Sequence, residues 1–125
     1  MSSREYNGGK WTFARWKAFI ISVLRGGWRK YPPRYDALRA ALVGKRTNRL
    51  TGRMADHYKC AACSGFFVAK EVQVDHIEPV VDPDDGFVNF IVFIDRLFCE
   101  AENLQVLCKP CHKDKTNEER KQRKR

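Results

Sequence analysis

Cys60-Ala-Ala-Cys63 and Cys108-Lys-Pro-Cys111 carry the most specific chemistry in the chain. The Cys-x-x-Cys spacing lets a tight turn aim two thiolates at one ion, and two such turns complete a tetrahedral four-cysteine set. Four protein ligands leave no open position, so the implied zinc is structural and its binding energy counts as folding energy. The two pairs are separated by 44 residues, more than a short zinc ribbon needs, so something must be built between them. Within and beside that bracket lie Asp75-His76, Asn103 and, directly after Cys111, His112. Singly, each has an ordinary reading: a turn cap, a half-buried strand histidine, a turn residue. Together they suit phosphodiester hydrolysis, which needs an activated water on one side of phosphorus and charge neutralisation at the leaving oxygen on the other.

The order Tyr58-Lys-Cys60-Ala-Ala-Cys63, Val74-Asp75-His76-Ile77-Glu-Pro79, Glu102-Asn103-Leu-Gln-Val-Leu-Cys108-Lys-Pro-Cys111-His112-Lys-Asp-Lys115-Thr116 resembles the HNH endonuclease family over residues 58–117. The resemblance implies an α+β fold of the ββα-metal (His-Me finger) kind, stapled by the four-cysteine zinc site. It implies that His76 is the general base, that Asp75 and His112 ligate a catalytic divalent cation, and that Asn103 orients His76. One carboxylate and one imidazole leave most coordination positions to water and phosphate, which suits Mg²⁺ or Mn²⁺ without fixing the metal. Lys115, three residues after His112, is a candidate phosphate contact. The stretch from Asp82 to Ala101 is an insertion relative to shorter family members, and Asn89 within it is a rival to Asn103. The small format with a basic extension is similar to phage-encoded HNH enzymes, including homing-type ones.

Charge is divided along the chain. Residues 1–59 hold 14 Lys and Arg against 3 Asp and Glu, residues 60–108 hold 2 against 9, and residues 109–125 hold 8 against 3. Basic arms around an acidic centre fit a protein that grips a polyanion at its ends and holds cations between them. Double-stranded DNA is the expected partner, with nicking by a monomer or weak dimer as the default product. The alternative is a zinc-ribbon adaptor that binds DNA or protein without catalysis. It would need the cysteines and the arms but not Asp75, His76 and His112 together. RNA ranks below both, because no aromatic strand motif of the sheet-based RNA-binding kind is present.

The positioning elements follow from periodicity. Apolar residues from Trp11 to Arg25 recur at helical spacing and predict a core-facing helix ended by Gly26-Gly27, after a loose leader over residues 1–10. Pro32-Pro33 opens a second helix that runs to Gly44. Lys45, Arg46, Arg49 and Arg53 fall in an exposed basic loop suited to phosphate. Alternation over Val72-Gln-Val-Asp-His76 predicts a strand, the apolar run 87–98 a buried helix, residues 103–107 a second strand, and the stretch after Cys108 a helix. Cys99 is read as a small buried hydrophobe and His57 as a surface residue. The expected organisation is a basic helical extension (1–57), a nuclease core (58–117) and a basic tail (118–125). Without a run of about 18 apolar residues or a recognisable leader, a cytoplasmic protein with no membrane contact is expected, in the host cytoplasm if phage-encoded.

Overall fold

The computed structural model describes residues 4–123 and is α+β, with four helices and two small antiparallel sheets among those residues. It divides into two compact units at Tyr31/Pro32 rather than near residue 57. The boundary moves because the second helix and the basic segment after it pack with the cysteine-bearing half.

In the first unit, α1 (Phe13–Trp28) begins at Thr12, whose hydroxyl accepts from the Arg15 amide at 3.3 Å. It runs through Gly26-Gly27, so that pair does not end it. Residues 4–12 are ordered as a tight reversal: Tyr6 and Trp11 pair, and Asn7, Gly8 and Gly9 take positive φ between them. Tyr6 stacks on Trp16 at 4.6 Å and Trp11 lies 5.5 Å from Phe19, so the leader packs on part of the aromatic stripe of α1, while Phe13 and Phe19 stay exposed. None of its residues is fully buried, contrary to the core-facing expectation.

In the second unit, α2 (Pro32–Ala40) packs on the central strands through buried Ala37. Where the sequence suggests helix to Gly44 and then a basic loop, the chain forms a hairpin, β1 (Leu42–Thr47) with β2 (Met54–Lys59). Gly44 takes φ +110° at a bulge in the pairing, which a side chain would resist. Asn48 and Gly52 close the turn. β3 (Phe66–Val68) adds to β2, giving the order β1-β2-β3.

The second sheet pairs β4 (Val72–His76) with β5 (Leu104–Cys108), both close to expectation, in the register Val72↔Cys108, Asp75↔Gln105, His76↔Leu104. Val72, Val74, Leu104, Val106 and Leu107 are buried, the alternation on β4 placing Gln73 outside. Between these strands, α3 (Phe90–Leu97) is capped by Asn89, whose side chain accepts from the Val92 amide at 2.9 Å. Phe93 and Leu97, at 2% and 0% exposure, anchor this insertion in the core, each contributing about 1.5–3 kcal/mol by burial. Leaving β5 without a loop, α4 (Lys109–Arg123) packs back on both β4 and β5. It continues through residues 118–123, so that part of the basic tail is helical; Lys124 and Arg125 lie outside the described residues. No helix is long and apolar enough to cross a membrane, among the described residues.

Candidate metal centre and catalytic residues

The first Cys pair lies on a reversal just after β2. The Cys60 amide donates to the Gly65 carbonyl and the Ser64 amide to the Cys60 carbonyl, both at 2.9 Å, while Ser64 takes φ +63°. The Ala61 amide bonds the Val106 carbonyl at 2.8 Å, which locks this knuckle to β5. The second pair straddles the junction of β5 and α4. The four Sγ atoms lie within 4.8 Å of one another, and those of Cys63 and Cys108 are 3.9 Å apart. A tetrahedral zinc with Zn–S of about 2.3 Å requires Sγ separations of about 3.8 Å, so the donor set fits the ion. It is the one cluster of three or more His, Cys, Asp or Glu ligands among the described residues.

The thiols are unequal. Burial pushes Cys60 up, but the amides of Cys63, Cys108 and Ala62 outweigh it and bring the group down to about 6. Cys111 is pushed up to about 12 by the Cys108 thiol and by burial, and burial likewise raises Cys108. Crowded thiolates repel, and a divalent cation among them removes that opposition.

Asp75 and His76 are consecutive on an extended strand and so turn to opposite sides. Asp75 faces α4. Its Oδ1 is 3.7 Å from His112 Nε2, while its Oδ2 accepts from Gln105 Nε2 at 3.0 Å and pairs with Lys115 Nζ at 3.0 Å. Two octahedral neighbours about 2.1 Å from one cation lie about 3.0 Å apart, so Oδ1 and Nε2, at 3.7 Å, would have to close by about 0.7 Å to share Mg²⁺, with the other oxygen held by the protein. His76 faces the end of α3, its Nε2 being 2.9 Å from the Leu97 carbonyl. A carbonyl only accepts, so Nε2 carries the proton and Nδ1 the lone pair.

Asn103 lies at the turn entering β5, and its contacts are with the chain leaving β4. Its carbonyl accepts from the Ile77 amide at 2.8 Å, its Oδ1 from the Glu78 amide at 3.1 Å, and its Nδ2 reaches Cys99 Sγ at 3.7 Å. Asn103 thus clamps the segment that follows His76, and the imidazole itself is held by Leu97. Cys99 is half-buried under this clamp. Lys115 points inward: its ammonium donates to the His76 carbonyl at 2.7 Å and pairs with Asp75 and, at 2.8 Å, with Glu119. Partial burial works against that charge, but Glu119 and Asp75 outweigh it and raise the Lys115 pKa. Asn89, the rival to Asn103, is occupied as the α3 cap.

The basic residues of the presumed loop fall on the hairpin. Lys45 pairs with Asp56 at 3.4 Å, Arg46 lies 4.3 Å over the Phe66 ring, Arg49 is 4.0 Å from Glu71, and Arg53 sits in the turn. His57 is buried at 8% exposure in β2, not on the surface. The sequence reading missed the Leu97 carbonyl, Gln105 and Glu119. The last had a signal in its i,i+4 spacing from Lys115. No protein-family model, curated protein or solved structure matches the chain.

Proposed function

We propose that the chain is a metal-dependent HNH endonuclease of the ββα-metal type that nicks duplex DNA. The observation that carries this reading is the division of the Asp75 carboxylate: Oδ2 is fixed by Gln105 and Lys115, and Oδ1 is turned to His112. Oδ1 thereby meets an imidazole nitrogen, the second donor of a two-residue cation site, while Oδ2 is held in place. His76 supports the same reading, since its Nε2 is held by the Leu97 carbonyl and the imidazole is fixed in orientation. Consecutive residues at the end of β4 thus supply a base and half of a cation pair, the two groups that in-line displacement at phosphorus needs.

In this mechanism His76 Nδ1 takes a proton from the attacking water as the new O–P bond forms. The bond to the leaving deoxyribose oxygen breaks, that oxygen takes a proton from solvent water to become a hydroxyl, and His76 returns its own proton to solvent. Asp75 and His112 would hold a divalent cation, which when bound would supply positive charge at the leaving oxygen. Asn103 and Lys115 act on backbone: the first on the Ile77 and Glu78 amides, the second on the His76 carbonyl. Both restrain the strand end that carries the base. The zinc on Cys60, Cys63, Cys108 and Cys111 serves the fold, and the basic hairpin grips phosphate.

The test is supercoiled plasmid incubated with the protein, with and without Mg²⁺ or Mn²⁺, beside His76→Ala. Relaxed circles that require the added cation and vanish in the variant are expected. Equal activity of the variant removes His76 as base. Inactivity with every metal favours the zinc-ribbon adaptor.

A further inference from the structure

The hairpin carries a cleft whose chemistry goes beyond the phosphate contact already assigned to its basic residues. It measures about 460 Å³, within the roughly 300–1,000 Å³ of small-ligand sites, and lies between the β1–β2 turn and the knuckle-to-β3 segment. Its walls offer three kinds of chemistry. Arg46 lies on the Phe66 ring with its guanidinium carbon 4.3 Å from the centroid, an arrangement that leaves its outer face and its N–H edge available. Arg49 extends at the rim, 80% exposed and 4.0 Å from Glu71. His57 lines the cleft although the residue is only 8% exposed. Its Nδ1 is 2.9 Å from the Ala55 carbonyl. That carbonyl can only accept, so Nδ1 carries a proton, and in the tautomer this fixes Nε2 is the nitrogen that can accept a hydrogen bond from what enters the cleft.

A backbone phosphodiester alone would satisfy the two guanidiniums but has no hydrogen to give to Nε2. A hydrocarbon would satisfy the rings alone. A nucleotide offers all three complements: a π face for the stacked guanidinium, an N–H edge for Nε2, and a phosphate for Arg49. Within a duplex the N–H edges are paired and the faces stacked, so the base must be unpaired to enter. Gly65 shapes the cleft as well. A Cβ there would lie 2.8 Å from Phe67 Cε2, so the ring occupies space that only glycine leaves.

We propose that this cleft, with His57, Arg46 and Arg49, binds an unpaired nucleotide of the DNA, so that the preferred substrate is duplex carrying a bulged or flipped base. The proposal takes from the nuclease reading only the identity of the polymer. It can therefore be tested by binding alone, on the His76→Ala protein with its zinc site loaded and no other divalent cation added. Fluorescence anisotropy compares a fully paired duplex, the same duplex with one bulged nucleotide, and an RNA duplex with the same bulge. The bulged DNA is expected to bind about tenfold more tightly than the paired duplex, the scale of one stacked base. His57→Phe, which keeps a ring in the buried position, removes that preference and leaves affinity for paired DNA unchanged. Gly65→Ala, through Phe67, weakens the preference in the same way. Equal binding of bulged and paired DNA, an unchanged preference in His57→Phe, or tighter binding of the RNA each overturns the proposal. A wild-type protein that prefers the bulge yet never nicks supports the cleft and removes only the nuclease reading.

Discussion

The imidazole of His76 is held 2.9 Å from the carbonyl of Leu97, a residue at the end of the helix inserted between the two strands of the core. The insertion is thus part of the site's support. Phe93→Ala should cost about 3–5 kcal/mol of stability, because Phe93 is 2% exposed and fixes α3. Where the variant remains folded, kcat for plasmid nicking should fall while the affinity for DNA holds. Unaltered kcat in a destabilised variant would mean that Leu97 does not position the base.

His76→Ala should lower nicking by about 10²–10⁴-fold, the usual worth of a general base. Asp75→Asn should instead raise the Mn²⁺ concentration needed for half-maximal activity. A titration of rate against Mn²⁺ separates the two roles, since only the Asp75 variant is expected to respond to added metal.

Lys115→Met keeps much of the stem but removes an ammonium that meets Asp75, Glu119 and the His76 carbonyl. Asp75, with its side chain 11% exposed, then loses a charged partner, at a cost of about 1–3 kcal/mol. Thermal denaturation should show the lowered Tm, in contrast to an exposed phosphate contact, whose loss would leave Tm unchanged.

Cys108→Ser should abolish binding of about one zinc per chain and, with it, cooperative unfolding, because the ion's binding energy is folding energy. Metal analysis and circular dichroism on the same sample check both. Retention of the fold after zinc removal would contradict the structural role.

Asp82 accepts the amides of Asp84 and Asp85 at 2.7 and 3.1 Å. These bonds, Asp85 first, hold its carboxylate below the ordinary value of about 3.9. A depressed folded pKa makes the contribution of this turn full above the unfolded value and lost as pH falls through the folded one. The Asp84 and Asp85 amide resonances should therefore move with a midpoint below that of a free aspartate, and Asp82→Asn should abolish the titration.

Much of the second unit is legible in the residues, and the rest fails for identifiable reasons. Val72, Val74 and His76 alternate with Gln73 and Asp75, so β4 emerges within its observed bounds. The apolar run at 87–98 is too long for a strand, and Asn89 trims its start to Phe90. The β1–β2 hairpin is hidden because Lys45, Arg46, Arg49 and Arg53 give it the composition of a loop. Its pairing comes from the bulge at Gly44 and the turn at Asn48, not from apolar alternation. The four cysteines are legible because spacing alone demands a common ion. The Leu97 carbonyl is not, since a backbone group leaves no trace in residue type. His57 looks like a surface residue because nothing in its spacing shows that β2 is the central strand of a three-stranded sheet, where the residue is buried.

The start of α4 gives the molecule an order of operations. Cys108 ends β5, Cys111 lies in the first turn of α4, and His112 follows at once. A chain that has not yet gathered its thiols has nothing to set where that helix begins, and so nothing to bring His112 opposite Asp75. On the nuclease reading proposed above, the cation pair is therefore completed only after the thiols are gathered, so that activity follows assembly of the zinc site and cannot precede it.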